Sequence, residues 1–198
     1  MDTYRTLASS GEAQFTEKRS RFLAFACHVA DEAEARGRVA ELRKRYYDAR
    51  HVCWAYAIGF NGESTRANDD GEPSGSAGKP ILGRIVSAGL TFTLVCVVRY
   101  FGGVKLGTGG LAVAYKTAAA LALEAATAEE RIQTQRLQAD CPYADVDQAM
   151  RKVRDCGADI VAREYTAVST VLTIEVRLDE AARLRASLGT MLGVQLLS

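Results

Sequence analysis

Residues 97–116 read VVRYFGGVKLGTGGLAVAYK, and the fold turns on this stretch. The run 91–99 (TFTLVCVVR) that leads into it is apolar and β-branched, the texture of a buried strand. Five glycines follow, Gly102, Gly103, Gly107, Gly109 and Gly110, and then an Ala/Leu-rich segment that predicts a helix over about 111–130. The strand delivers Arg99, Tyr100 and Phe101 to a rim, the glycines expose backbone amides there, and Thr108 can cap the helix. Free N–H groups at a helix N-terminus, with Arg99 and Lys105 beside them, suit an anion or a phosphate. The spacing G-T-G-G-L-A from Gly107 is not the dinucleotide fingerprint, and no βαβ unit follows it. The competing reading is that the glycines only turn the chain and let the helix pack closely.

Working outward, 12 of the 17 glycines fall between Gly59 and Gly110, so the special backbone is concentrated in one part of the chain. Residues 61–80 (NGESTRANDDGEPSGSAGKP) hold almost no large apolar group and predict a long loop. Arg66, Ser74 and Lys79 within it join Arg99, Tyr100, Gly102, Gly103, Lys105, Gly107, Thr108, Gly109, Gly110 and Lys116 as candidate phosphate or nucleic-acid contacts. PSGSAGKP is not a P-loop: Pro73 stands where the first glycine belongs and Pro80 where the magnesium-binding hydroxyl belongs. Asp69, Asp70 and Glu72 form a possible acidic site for a hard cation or for proton transfer. Turn chemistry, in which Asp bonds its own backbone, is the commoner role, and no metal or cofactor is expected. The two glycine-rich loops are expected to converge on one face as a cleft.

Elsewhere the pattern predicts strands over 14–18, 21–29 and 51–60, and a helix from Asp31 to about residue 47, with Glu34 completing a capping box. A short helix is expected over 81–89. His51 and Cys53, two apart on a strand, face the same side. Beside Trp54 in an apolar run, Cys53 reads as a packed core cysteine rather than a nucleophile. After residue 131 the texture changes. Strands over 133–139, 160–165, 169–178 and 194–197 alternate with helices over 143–156 and 179–192, the second capped by Asp179, in the order βαββαβ. An α+β protein of two domains, 1–133 and 134–198, is the expectation.

Composition narrows the function. The chain has 198 residues, 48% hydrophobic and 25% charged, with 25 basic against 24 acidic side chains and a net charge of +1. That excludes wholesale disorder, and it excludes whole-molecule attraction to nucleic acid or anionic membrane, leaving only a local patch. No apolar run is long enough to span a bilayer and the N-terminus lacks a secretory pattern, so a cytoplasmic protein is expected. Five dispersed cysteines without a CxxC, and two histidines, argue against a zinc site or a disulfide framework.

Three segments, HVCWAYAIG, RANDDGEPSGSAGKPIL and VVRYFGGVKLGTGGLAVAY, together resemble the signature of the IMPACT family in its bacterial YigZ-like branch. The resemblance implies a ribosomal protein S5 domain 2-like N-terminal domain. It also implies a ferredoxin-like C-terminal domain similar to domains III and V of elongation factor G. Eukaryotic relatives carry an extra N-terminal partner-binding domain and act in translational control.

Two functions stay open. The first is an RNA- or ribosome-associated binding protein linked to translation, with Arg66, Lys79, Arg99, Lys105 and Lys116 on phosphates. The second is an enzyme or sensor for a small phosphorylated ligand, with Asp69, Asp70 or Glu72 holding magnesium or acting as a base. A protein-interaction adaptor is the remaining alternative. No catalytic motif is recognisable, and the oligomeric state is not readable from the sequence.

Overall fold

The computed structural model describes residues 3–197. In chain order the first elements are β1 (Thr3–Leu7), β2 (Gly11–Glu17), β3 (Ser20–His28), α1 (Glu32–Arg45), β4 (His51–Ile58), β5 (Ser64–Asn68), α2 (Gly78–Ser87), β6 (Thr93–Tyr100), α3 (Gly107–Ala125) and β7 (Ala128–Ile132). Then come β8 (Thr134–Pro142), α4 (Val146–Asp155), β9 (Asp159–Tyr165), β10 (Ser169–Arg177), α5 (Leu178–Gly189) and β11 (Gln195–Leu197). The chain is α+β and divides into two compact units, Tyr4–Arg131 and one built from the residues after it.

The first unit is organised by a five-stranded sheet in the order β2-β3-β6-β4-β5, antiparallel throughout. Strand alternation sorts its side chains to two faces. Phe22, Ala24, Ala26, Cys53, Ala55, Ala57, Val95 and Val97 face α2 and α3, where Ile81, Ile85, Leu111, Tyr115 and four alanines of α3 complete the core. Small residues on both sides let the helix lie close to the sheet. Val29, Tyr56, Leu94 and Cys96 face the other way, onto Ala35, Val39 and Leu42 of α1. Burying each large apolar side chain contributes about 1.5–3 kcal/mol. At the start of α1, Glu34 N–H donates to Asp31 Oδ1 at 2.8 Å, and Ala30 N–H donates to Glu34 Oε2 at 2.9 Å. Among the described helices, none is long and apolar enough to cross a membrane.

The second unit runs βαββαβ with strand order β11-β8-β10-β9. Leu137, Ala139, Cys141, Leu172, Ile174 and Val176 pack against Ala149, Val153, Leu184 and Leu188 of the two helices. The opposite face of its central strands presents Arg136, Gln138, Val171, Thr173 and Glu175, with no aromatic residue among them.

Several local expectations change. The loop over 61–80 contains β5, an edge strand whose polar residues carry no apolar signal, and the start of α2. The helix expected over 111–130 begins at Gly107 and ends at Ala125, after which the chain forms β7 against β1. Thr108 is no cap, because the N-cap position is Leu106 and no side chain closes it. Asp179 is not the cap of α5 either, since that helix already begins at Leu178 with Arg177 as its N-cap.

Candidate functional site

At one end of the sheet the helix face stops being apolar. His51 begins β4 and Arg99 is the last residue but one of β6, and the antiparallel register sets them opposite each other, with Phe22 of β3 opposite Arg99 on its other side. The row is the outward continuation of the core row Cys53, Val97 and Ala24. Over it close the 72–73 segment and the loop between β6 and α3. Arg50, His51, Glu72, Pro73, Arg99, Phe101, Lys105, Leu106, Gly107, Thr108 and Leu111 enclose a cleft of about 370 Å³.

The floor of this cleft is a buried polar chain. Arg99 Nη1 lies 2.6 Å from Glu72 Oε1, with both side chains at most 8% exposed. The same Glu72 oxygen accepts from the Tyr115 hydroxyl at 2.8 Å, and the Cys53 thiol donates to the Tyr115 oxygen at 3.3 Å. Burial pushes the Cys53 and Tyr115 pKa values far above their usual ranges, so both stay neutral and serve as bridges. The thiol is a packed residue, not a nucleophile. The Arg99 guanidinium lies 5.6 Å from the centroids of both Phe22 and Phe101, while its buried Nε has no hydrogen-bond partner. Arg99 is thus a cation held in place by Glu72 and the two rings, with donor capacity left over.

His51 is held by its surroundings too. Its Nδ1 lies 2.8 Å from the Asp70 carbonyl oxygen, an atom that can only accept, so Nδ1 carries the proton and Nε2 is left free. Asp70 has φ +45, and its carboxylate accepts from Val52 N–H at 2.6 Å and pairs with Arg43. Asp69 caps α2 from a distance, accepting at 2.8–3.0 Å from the N–H groups of Gly75, Ala77 and Gly78. Burial raises its pKa, but those three N–H donors and Lys79 outweigh burial and hold the carboxyl below its usual value. The acidic trio therefore does not converge on a common point. Asp69 serves α2, Asp70 serves β4, and Glu72 serves Arg99.

Of the candidate contacts, Arg99, Lys105, Gly107 and Thr108 line the cleft. Gly107 has φ +71, which a side chain resists, and it turns the chain into α3. Tyr100 is carried away by the period of the strand: it points to the α1 face, where its hydroxyl donates to Asp48 at 2.7 Å. Arg66 stands opposite Tyr56, also on the α1 face. Gly102 is structural, its N–H donating to Ser20 Oγ at 3.1 Å. Gly103 is exposed beside it, and Gly109 and Gly110 line a neighbouring groove. Ser74, Lys79 and Lys116 are exposed and lie outside the cleft lining.

The model of the Impact N-terminal domain family matches residues 18–123, the stretch that carries both loops of the cleft. The Escherichia coli IMPACT family member YigZ is 34% identical over 152 residues, 76% of this chain and 74% of that protein. The chain belongs to the IMPACT family. The IMPACT family member YvyE of Bacillus subtilis is 43% identical over 115 residues, 58% of this chain, a match that spans about half (53%) of that relative's length. A crystal structure of a hypothetical protein superposes over 100% of this chain and 98% of its own, with a TM-score of 0.76 and 29% identity. Within this IMPACT-family chain, sequence reasoning overlooked Arg50 as a cleft residue and, although it set His51 and Cys53 on one face with Cys53 in the core, did not bring His51 to Arg99. The available signal was the register itself, because alternation from Cys53 outward already places His51 on the helix face.

Proposed function

We propose that this IMPACT-family chain is an RNA-binding protein linked to translation, which seats a phosphate in the cleft between residues 72–73 and 99–108. The observation that carries the reading is the meeting of cations and an aromatic at one place. Lys105, Arg50 and the buried Arg99 surround the N-terminus of α3, and Phe101, 52% exposed, stands at the rim. Phosphate and base are the two things single-stranded RNA offers, and cation plus exposed ring is the pair that takes them. The net charge of +1 keeps the affinity modest and confines attraction to this patch. The open face of the second unit's central strands, with no aromatic among the described residues, offers no stacking platform of its own. The setting in translation, and with it the cytoplasm, comes from the family resemblance. So do the S5 domain 2-like assignment of 1–133 and the ferredoxin-like, elongation-factor-G-like assignment of 134–198. The latter is supported by the βαββαβ order and its strand arrangement.

One observation favours a second reading. A volume of about 370 Å³ lies within the span of small-molecule sites, so a small phosphorylated ligand also fits. Anisotropy of a labelled mixed-sequence RNA, titrated at several salt concentrations, separates the two. Binding that weakens linearly in log–log salt, and is lost in Lys105→Glu and weakened in Phe101→Ala, is the expected result. No binding at low salt, with a rise in melting temperature on adding a nucleotide or sugar phosphate, would replace RNA by the small ligand.

A further inference from the structure

The geometry points to a catalytic use of the cleft: metal-free cleavage of the RNA strand by attack of a ribose 2′-hydroxyl on its own phosphate. The inference rests on the RNA reading above and adds a reaction to it.

Three groups carry it. Glu72 is the ion-pair partner of Arg99, hence a carboxylate; Oε1 is taken by Arg99 and Tyr115, and Oε2 has no hydrogen bond among the described residues. His51 has Nδ1 fixed on the Asp70 carbonyl, which leaves Nε2 as the ring atom for a ligand. Arg99 stands between them, opposite His51 across the β4–β6 pair and bonded to Glu72, with its Nε unpartnered although only 6% of the residue is exposed. A base, an acid and a phosphate clamp thus line one cleft, and Lys105 adds a second cation. This set is what transesterification of RNA requires.

The step balances without any further reactant. Glu72 takes the proton of the 2′-hydroxyl, and that oxygen forms a bond to the adjacent phosphorus. The bond from phosphorus to O5′ breaks, its electron pair stays on O5′, and His51, protonated at Nε2, gives O5′ its proton. Arg99 and Lys105 hold the charge on the non-bridging oxygens. The products are one strand ending in a 2′,3′-cyclic phosphate and one beginning with a 5′-hydroxyl. Exchange with solvent returns the proton from Glu72 and restores the one on His51.

The test uses the full chain, a 5′-labelled mixed-sequence RNA and EDTA throughout, with DNA and 2′-O-methyl RNA of the same sequence as controls. RNA is expected to be cut to fragments bearing cyclic phosphate ends, while both controls stay intact. Single-turnover cutting at saturating RNA is expected to slow about 100-fold or more in His51→Gln, the range lost with a general acid. Glu72→Gln should slow it comparably, but the buried partner of Arg99 also affects folding, so His51→Gln is the deciding variant. Binding is read separately, by anisotropy of wild-type protein on the uncleavable 2′-O-methyl strand. If that strand is bound and RNA stays whole, or if His51→Gln cuts as fast as wild type, the catalytic inference is overturned and the binding reading stands. If neither strand is bound at low salt, the binding reading falls and takes the reaction with it.

Discussion

His51 and Arg99 are register partners across the β4–β6 pair, and Phe22 on β3 extends the same row. Residues 48 positions apart in sequence thus stand side by side, because an antiparallel ladder brings the start of one strand to the end of the other. The row sits where the helix layer ends, so His51 and Arg99 are supported by the core, Phe22 included, yet meet the cleft above. Rigid sheet positions hold His51 and Arg99, while the loops supply Glu72, Phe101 and Lys105. A cleft divided in this way keeps its sheet residues fixed and leaves its loop residues adjustable.

The Arg99–Glu72 pair is expected to be costly to break and cheap to replace. Removing one partner strands a charge inside the protein, which costs about 3–5 kcal/mol for buried pairs. Glu72→Gln should therefore lower the urea midpoint of the first unit sharply. Adding Arg99→Met to it should restore much of the loss, because the stranded charge is gone and the methionine can pack on Phe22. Additive losses in the double variant would show that the pair is not energetically coupled.

Asp69 should tie stability to acid. Its folded pKa is depressed by N–H donors despite burial, so its contribution is present above the unfolded value and is lost as pH falls through the folded one. Asp69→Asn is expected to cost about 1–3 kcal/mol at pH 7, the range for leaving buried donors poorly satisfied. At about pH 3, below the ordinary carboxyl range, the difference from wild type should shrink. Urea midpoints of both proteins at the two pH values decide it. An equal loss at both would mean that the ionised carboxylate is not what holds the α2 terminus.

Much of this was legible in the residues. Asp31 and Glu34 announced the start of α1, and the apolar runs of β4 and β6 announced buried strands, because those signals are local. The clustering of glycines and cations pointed to Arg99, Lys105, Gly107 and Thr108, which do line one cleft. What stayed hidden depends on pairing. β5 (STRAN) has no alternation of its own and exists because β4 offers it an edge. Tyr100 follows Arg99 in sequence but leaves by the other face. Asp69 and Asp70 look like metal ligands until the backbone donors that occupy them, six or more residues along the chain or on another strand, come into view.

Gly102 should tolerate no side chain, for a reason different from that of its neighbour. A Cβ there would come within 2.0 Å of the Arg19 carbonyl carbon and 2.3 Å of the Ser20 nitrogen, both backbone atoms that cannot move aside cheaply. Gly102→Ala is expected to cost about 1–3 kcal/mol, the usual penalty of overpacking, and to lift the 101–103 loop off the β2–β3 hairpin. At Gly103 the space is open but φ is +86, so Gly103→Ala meets only backbone strain, about 1–2 kcal/mol. Thermal melts give the stabilities, and RNA anisotropy gives the second readout. Gly102→Ala should weaken binding as well, because Phe101 moves with the loop. If Gly102→Ala melts like wild type, the loop does not rest on the hairpin.

The hairpin itself carries strain where the site could use its charge. Lys18 and Arg19 connect β2 to β3 as a two-residue turn with φ +44 and +67, a conformation that favours Asn-Gly. Each L-residue held there costs roughly 1–2 kcal/mol. Replacing the pair by Lys18→Asn with Arg19→Gly should therefore raise stability by about 1–2 kcal/mol. Both cations are exposed, and the backbone of Arg19 lies directly under Gly102, one residue from Phe101. On the RNA-binding reading the relaxed hairpin should bind RNA more weakly, with a salt dependence shallower by roughly 0.7 for each phosphate that the two cations no longer neutralise. A gain in stability matched by a loss in affinity is the pattern of strain retained for function. A stabilised variant that binds RNA unchanged would make the turn a purely structural feature.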